Sequence, residues 1–555
     1  MAHWPDEGSR ADRGFASLLL LAYLPVAIFG ITHHEMWRDE LHCWLVARDS
    51  ATPWDVIHNR AYDGHPPLWY LVLWVLEKTT HDPRSMQVAH VAIAAAAVWV
   101  FACRAPFGRF IRSLFAFGYF VAYEYVAISR CYGLALLFAL LLCTHHRRRF
   151  EGAFITALLL AALALTTTVA TMVAAGYAAA LAVEWIAAAR EKDRSAHRAW
   201  IPICVAGLAC LAALACAWPP VDSTVAHVQW PSDAANFVPT RLIAGVLPIP
   251  RVDFFFWNSN ALLSFGPFRR FAPAASLALA AWLLFVLSCD RSAAILFGVG
   301  TALLIALFGG VYGGDVRHHG FFFVLFVMGA WIAMATTEGA SGIASASRRL
   351  RRAAVAPTLT AVLLVHVPAA AIALAYDYKY IFSSGTRAAN ALRAQGLADA
   401  LLVAEMDFPA TAVIGQLGTR AMAYSPRTGR AFSFVKWTKD RHWAPTDEQT
   451  VNYAVELGAS RAEDAILIMN RPLSPQIVDG AAVIRLAELY DSMIEEENFY
   501  LYRVRYVPPS AVLPTHTTSP EVWSYDLGTK GDRRRQPETP IDLEGLWSAW
   551  SSSHR

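Results

Sequence analysis

The chain has 555 residues, 56% of them hydrophobic and only 16% charged, an apolar surplus over ordinary globular chains. The length has room for a membrane domain and one appended soluble domain. Lys and Arg number 47 against 44 Asp and Glu, a formal charge of +3 at pH 7, so composition excludes the basic footprint of a nucleic-acid partner.

The surplus lies between Phe15 and Tyr376, in repeated apolar runs of about 15 to 22 residues, long enough at helical rise to cross a bilayer. About eleven spans are predicted, at 15–31, 86–103, 110–127, 130–143, 152–168, 170–188, 200–217, 273–289, 293–309, 319–336 and 354–375. The first follows Arg10 and Arg13 as a signal peptide would. No small-residue cleavage site comes after it, only His33, His34, Glu35 and Trp37, so it reads as an uncleaved span.

Arginine collects in every second connection: Arg10 and Arg13, then Arg104, Arg109 and Arg112, then His145 to Arg149, Arg190 to Arg198, and Arg348 to Arg352. That alternation fits a cytoplasmic N-terminus by the positive-inside rule, and an odd number of spans then puts the C-terminal region outside. Two long connections, 32–85 and 218–272, fall on the outer side. Both are rich in Trp, Phe and Pro, and pieces such as Leu68 to Leu76 read as interfacial helices that could roof a cavity.

After Tyr376 the composition becomes that of a soluble protein. Leu401 to Glu405, Ala465 to Met469 and Phe499 to Tyr506 read as strands, and alanine-rich stretches near 386–398, 447–458 and 481–494 as helices. The fold class is therefore an α-helical polytopic membrane bundle over 1–375 with an extracytoplasmic α/β domain over 376–508. A flexible tail, 509–555, is expected to follow. The domain contains no GxGxxG or phosphate loop. All eight cysteines precede Ser292 without a CxxC pair, which gives no disulfide framework and no zinc signature. Cys43 and Cys131 would both lie near the outer face, as a bridge or as two buried thiols.

The densest polar cluster is His33-His34-Glu35-Met36-Trp37-Arg38-Asp39-Glu40, just beyond the first span. Charge at that level is costly without a purpose, and a carboxylate held there can act as general base on an acceptor. Taken alone the pair reads more readily as a solvated helix start favoured by the N-terminal dipole. Further on, Tyr62-Asp63-Gly64-His65-Pro66-Pro67-Leu68-Trp69-Tyr70 bars helix before Pro67 and starts one after it. Glu124, Ser129 and Arg130 lie between two apolar runs, and Asp315, Arg317, His318 and His319 stand just ahead of another. Cations on the outer side suit a lipid phosphate.

The order of span, Trp37-Arg38-Asp39-Glu40, interfacial helix, His65-Pro66-Pro67-Leu68-Trp69-Tyr70, bundle and outer domain resembles the GT-C superfamily of membrane glycosyltransferases. It looks most like the bacterial members related to protein mannosyltransferases and to the aminoarabinose transferase of lipid A. Ser129-Arg130-Cys131-Tyr132 is similar to their arginine–tyrosine segment. The resemblance covers roughly residues 15–375 in architecture and about four short motifs in sequence.

It implies a multi-pass protein of the bacterial inner membrane that moves a sugar from a polyprenyl-phosphate donor to a glycan, lipid or protein acceptor. Asp39 would be the catalytic base, with Glu40 a second candidate or a positioning group. His65 stands where many relatives have lysine, so a phosphate role there depends on its protonation. Arg130 and Arg317 would carry the phosphate charge, assisted by His318 or His319; Tyr132 and Glu124 complete the candidate donor site. One carboxylate suffices, because lipid phosphate leaves readily when paired with arginine. No cofactor is required by this scheme, although His33, His34, Glu35 and His42 could bind a divalent metal.

Two readings from other classes compete. A transporter or lipid flippase predicts charge within the spans and repeat symmetry, and the polar groups gather instead at one face. A non-catalytic membrane subunit would leave Asp39 and Glu40 merely solvated.

Overall fold

Uncharged runs of Ala, Leu, Val and Phe can satisfy their own backbone in lipid only by coiling into helix, and the computed structural model of the chain is helical along them. It describes residues 10–190, 198–224, 239–336, 343–441, 445–478 and 482–506. The expected tail 509–555 and the middle of the 218–272 connection lie outside the described residues.

The first helices are α1 (Arg10–His33), α2 (Arg38–Arg48), α3 (Pro53–Asn59), α4 (Leu68–Thr79), α5 (Arg84–Arg104), α6 (Arg109–Ala116), α7 (Tyr132–His145) and α8 (Ala153–Ala164). They are followed by α9 (Thr168–Arg190), α10 (Trp200–Ala217), α11 (Thr240–Val246), α12 (Ala272–Leu287), α13 (Arg291–Gly310), α14 (Val316–Ala335) and α15 (Ile343–Lys379). Seven of them, α1, α5, α9, α10, α13, α14 and α15, are long and apolar enough to cross a membrane, and α8 and α12 are shorter apolar helices. Leu68 begins a helix, α4, as its Pro-Pro start predicts.

One expected span is not a single helix. In place of 110–127, α6 stops at Ala116, Phe120–Glu124 form one π-helical turn, and the chain runs irregularly to Arg130 before α7. Irregular backbone at this depth is tolerated only where protein covers it. Here every residue from Tyr119 to Arg130 is buried. The Tyr125 hydroxyl donates to the Arg317 carbonyl at 2.8 Å, and the ring nitrogens of His90 lie 3.1 and 2.7 Å from the carbonyls of Val126 and Arg130. Gly320 permits the approach, since a Cβ there would collide with Phe120 and Tyr125. α14 is buried along almost its whole length, so its first turn brings Arg317 to the end of the bundle interior.

The last bundle helix leads into α16 (Gly385–Ala394), β1 (Leu401–Ala404), α17 (Asp407–Leu417), β2 (Ala423–Ser425), β3 (Arg430–Phe432), α18 (Asp447–Arg461), β4 (Ala465–Met469), β5 (Val483–Leu489) and β6 (Phe499–Val504). The sheet runs β3-β2-β1-β4-β6-β5, with β1 parallel to β2 and β4 and the other pairs antiparallel. The helix expected at 481–494 is instead β5. Its Ala, Leu and Glu favour helix locally, but pairing from Val483↔Val504 to Leu489↔Phe499 buries Val483, Ala487 and Leu489, and that tertiary gain overrides propensity.

The domain sits on α2. Leu41 packs against Gly415 of α17, Arg48 donates to the carbonyls of Gly418 (2.8 Å) and Ala421 (2.9 Å), and the Phe382 amide donates to Glu35 at 2.8 Å. Buried Glu497 accepts the Arg38 amide at 3.2 Å and the Ser383 hydroxyl at 2.5 Å. Burial, opposed by the nearby Arg38, pushes the Glu497 carboxyl up to about 7.

Candidate active site

The site lies where the first long connection, the irregular segment before α7, the start of α14 and the C-terminal domain meet. Glu40 organises it from behind. Its carboxylate accepts the Ser129 amide at 2.6 Å and the Trp37 amide at 3.2 Å, which joins the start of α2 to the segment carrying Arg130. His34 bridges Glu40 (3.2 Å) and Asp377 (3.0 Å), fastening the end of α15 to the same point. Burial opposes a charge on His34, but the carboxylates of Asp377 and Glu40 outweigh it and raise its pKa to about 10.

In front of this support, Asp39 meets two guanidiniums. Arg317 Nη2 donates to Asp39 Oδ2 at 2.8 Å and pairs with Asp315 at 3.0 Å. Its guanidinium carbon is 5.3 Å from the Trp37 ring and 5.4 Å from that of Trp257, so it rests against both rings of an edge-to-face indole pair. Arg130 donates to the Asp39 carbonyl and to Cys43 Sγ (2.7 Å), and its second amino group lies 3.2 Å from His65 Nε2. Burial opposes ionisation of Asp39, yet Arg317 and Arg130 prevail and hold its carboxyl below the usual carboxylate range.

Asn258, in the left-handed region at φ 51°, donates to Asp315 (2.7 Å) and accepts the Val316 amide (2.9 Å), seating the start of α14. Asp315 N–H donates to His318 Nδ1 at 2.9 Å, which leaves Nε2–H to donate to the Tyr132 hydroxyl at 2.8 Å.

These groups face a cavity of about 490 Å³. Asp39, His65, Arg130, Arg317 and His318 line it, while Tyr132 stands behind His318. Glu40 and Glu124 do not line it; Glu40 is spent on the backbone amides, and Glu124, also buried, accepts the Tyr119 hydroxyl at 2.9 Å. His319 turns to the Gly313 carbonyl at 3.0 Å. Burial, then Arg130, push the His65 pKa down to about 3. A neutral Nε2 can accept from Arg130, 3.2 Å away.

The candidate metal ligands diverge. His33 contacts the Phe29 carbonyl, Glu35 accepts from Phe382, and His42 contacts Asp63 at 2.9 Å. Among the described residues no three His, Cys, Asp or Glu side chains converge as a metal site. Cys43 and Cys131 are buried free thiols.

Several lining residues were not among the predicted site residues. His42 follows Asp39 by three positions, so helical spacing alone would have put it on the same face. It pairs with Asp63, which also accepts from Tyr70 at 2.7 Å. Phe408 and Trp437 come from the C-terminal domain and left no sequence signal. Val169, Leu214, Leu307 and Val311, from the membrane-length helices and their ends, make the apolar side. A second cavity of about 450 Å³, at the opposite end of the bundle, has Arg104, Arg147 and Arg148 but no carboxylate among the described residues that line it.

No protein-family model and no curated protein matches the chain. Among solved structures, the crystal structure of ArnT from Cupriavidus metallidurans bound to undecaprenyl phosphate aligns with 11% identity and a TM-score of 0.43, covering 88% of this chain and 98% of that one.

Proposed function

We propose that this protein is an integral-membrane glycosyltransferase that moves a sugar from a polyprenyl-phosphate donor to an acceptor hydroxyl or amine on the outer side of the membrane, with inversion. The observation that carries the reading is one cavity in which the Asp39 carboxylate touches Arg317 directly while Arg130 clasps its backbone. A base and two cations side by side are what an acceptor proton and a departing lipid phosphate require. Arg317 adds a second sign: it is buried, and its Nη1 and Nε lack hydrogen-bond partners among the described residues although it lines the cavity.

The ion pair also supplies an order of events. While Arg317 holds Asp39, the carboxylate is a poor base. A lipid phosphate at Arg317 and Arg130 neutralises both cations, raises the basicity of Asp39 and arms it only once donor is bound. Asp39 then takes the acceptor proton, the acceptor attacks the anomeric carbon opposite the phosphate, and the phosphate leaves between the arginines. The lipid tail would follow the apolar side at Val169, Leu214, Leu307 and Val311. In this reading the N-terminus is cytoplasmic and the C-terminal domain extracytoplasmic, since the arginine-rich connections lie at the opposite end from the cavity.

The test is binding of a polyprenyl-phosphate sugar to purified protein, wild type against Arg130→Ala plus Arg317→Ala. Binding lost in the double variant supports the donor site; no binding by folded wild type overturns it.

A further inference from the structure

Among the described residues, two of the C-terminal domain line the cavity, and both are aromatic: Phe408 in the first turn of α17 and Trp437 in the chain after β3. Their rings meet at 5.1 Å and 69°, forming a corner. The corner is braced on several sides. The Arg38 guanidinium lies 5.0 Å from the Phe408 ring, and that of Arg441 lies 4.6 Å from Trp437 while pairing with Asp407 beside Phe408 at 2.5 Å. The Trp437 carbonyl accepts the Thr224 amide at 2.8 Å, and Thr438 bridges Ser223, so the connection after α10 holds it too. Only partly buried, both rings keep surface for a ligand.

We propose that the C-terminal domain completes the binding site, with Phe408 and Trp437 forming the surface on which the sugar ring of the lipid-linked donor stacks. This rests on the transferase reading above. Position argues for it. His42, one helical turn from Asp39 on α2, touches Phe408 at 5.6 Å, whereas Arg130 and Arg317 reach Asp39 itself. Phosphate at the arginines therefore leaves the attached sugar between Asp39 and the aromatic corner. Chemistry agrees: a sugar ring has an apolar C–H face that aromatic rings bury well and a hydroxyl edge that needs polar partners. Asp63, His42 and Tyr62 line the cavity for that edge. A lipid tail instead suits the aliphatic side at Val169, Leu214 and Leu307.

The experiment uses full-length protein in nanodiscs and compares binding of a polyprenyl phosphate with binding of its mannosyl, glucosyl and xylosyl esters. Wild type is expected to prefer at least one ester over the bare lipid. Phe408→Ala and Trp437→Ala should each reduce that preference by about tenfold while bare-lipid binding, which also reports folding, stays at the wild-type level. Trp437→Phe should restore part of the preference. Variants that keep the wild-type ratio overturn the proposal, as does a wild type that binds bare lipid and every ester alike. If the ratio holds and only the acceptor KM rises, the corner serves the acceptor and the donor assignment fails. A folded wild type that binds no lipid overturns the transferase reading itself, a result distinguishable from the others.

Discussion

Replacing Asp39 by Asn preserves shape and a hydrogen-bond acceptor for Arg317 while removing the negative charge and the basic site. Loss of a positioned general base costs about 10²- to 10⁴-fold in rate, roughly 3 to 5 kcal/mol on the barrier. The same change acts oppositely on donor binding. Asp39 sits 2.8 Å from Arg317, and opposite charges in partly screened surroundings attract by about 4 kcal/mol at 4 Å. The resting carboxylate thus competes with lipid phosphate for that guanidinium, and removing it should leave polyprenyl-phosphate affinity equal or tighter. The assay pairs transfer of labelled sugar from its polyprenyl phosphate in host membranes with equilibrium binding of the bare lipid. A slow variant with intact binding fits a base. An unchanged rate would refute the role, and parallel loss of rate and binding would mean that Asp39 serves only to hold Arg317.

The pH profile carries a second prediction. Free enzyme, with Asp39 held below the usual carboxylate range, should keep kcat/KM to low pH; the acid limb of kcat should lie higher, because donor draws the arginines away. Coincident limbs would argue against arming by donor. Arg317→Ala should weaken polyprenyl-phosphate binding roughly 10- to 100-fold, the loss of one charged hydrogen-bonding partner, measured by titration in nanodiscs. His34→Ala strands Glu40 and Asp377 as adjacent buried carboxylates and should cost about 3 to 5 kcal/mol, read as a lower Tm. Since the His34 pKa is raised to about 10, its stabilisation is complete below the unfolded value near 6.5 and fades as pH rises through about 10. Glu497, raised to about 7, has the same sign, stability falling as pH rises. Its burial costs most above that pH, by about 3 kcal/mol, so domain docking should loosen from mildly acidic to neutral pH, and Glu497→Gln should flatten that dependence in hydrogen exchange.

The bundle and the appended domain were legible along the chain because burial in lipid demands long uncharged helices, and such runs declare themselves by composition. The C-terminal strands at 401, 465 and 499 were legible for a similar local reason, as short β-branched and apolar runs. Where a segment's partner lay far away, local pattern failed: 481–494 reads as helix until β6 pairs with it, and 110–127 reads as one span until α14 and His90 take over its backbone groups.

The candidate site divides the same way. Asp39, Glu40, His65, Arg130 and Arg317 could be picked out because charge beside hydrocarbon is conspicuous in sequence. Their division of labour could not, since a carboxylate is base or brace according to what it touches. Glu40 meets the Ser129 and Trp37 amides and His34, whereas Asp39, one residue away on the same helix, meets Arg317 at the cavity wall. His65 looked like a titratable cation until Arg130 was found beside it. Phe408 and Trp437 were out of reach of any local reading, because a ring becomes a wall only when folding brings a distant domain over the space it closes. Sequence alone determined the membrane-length helices and the polar residues at their ends; tertiary contacts decided which of those residues face the cavity, because facing depends on distances between segments hundreds of residues apart.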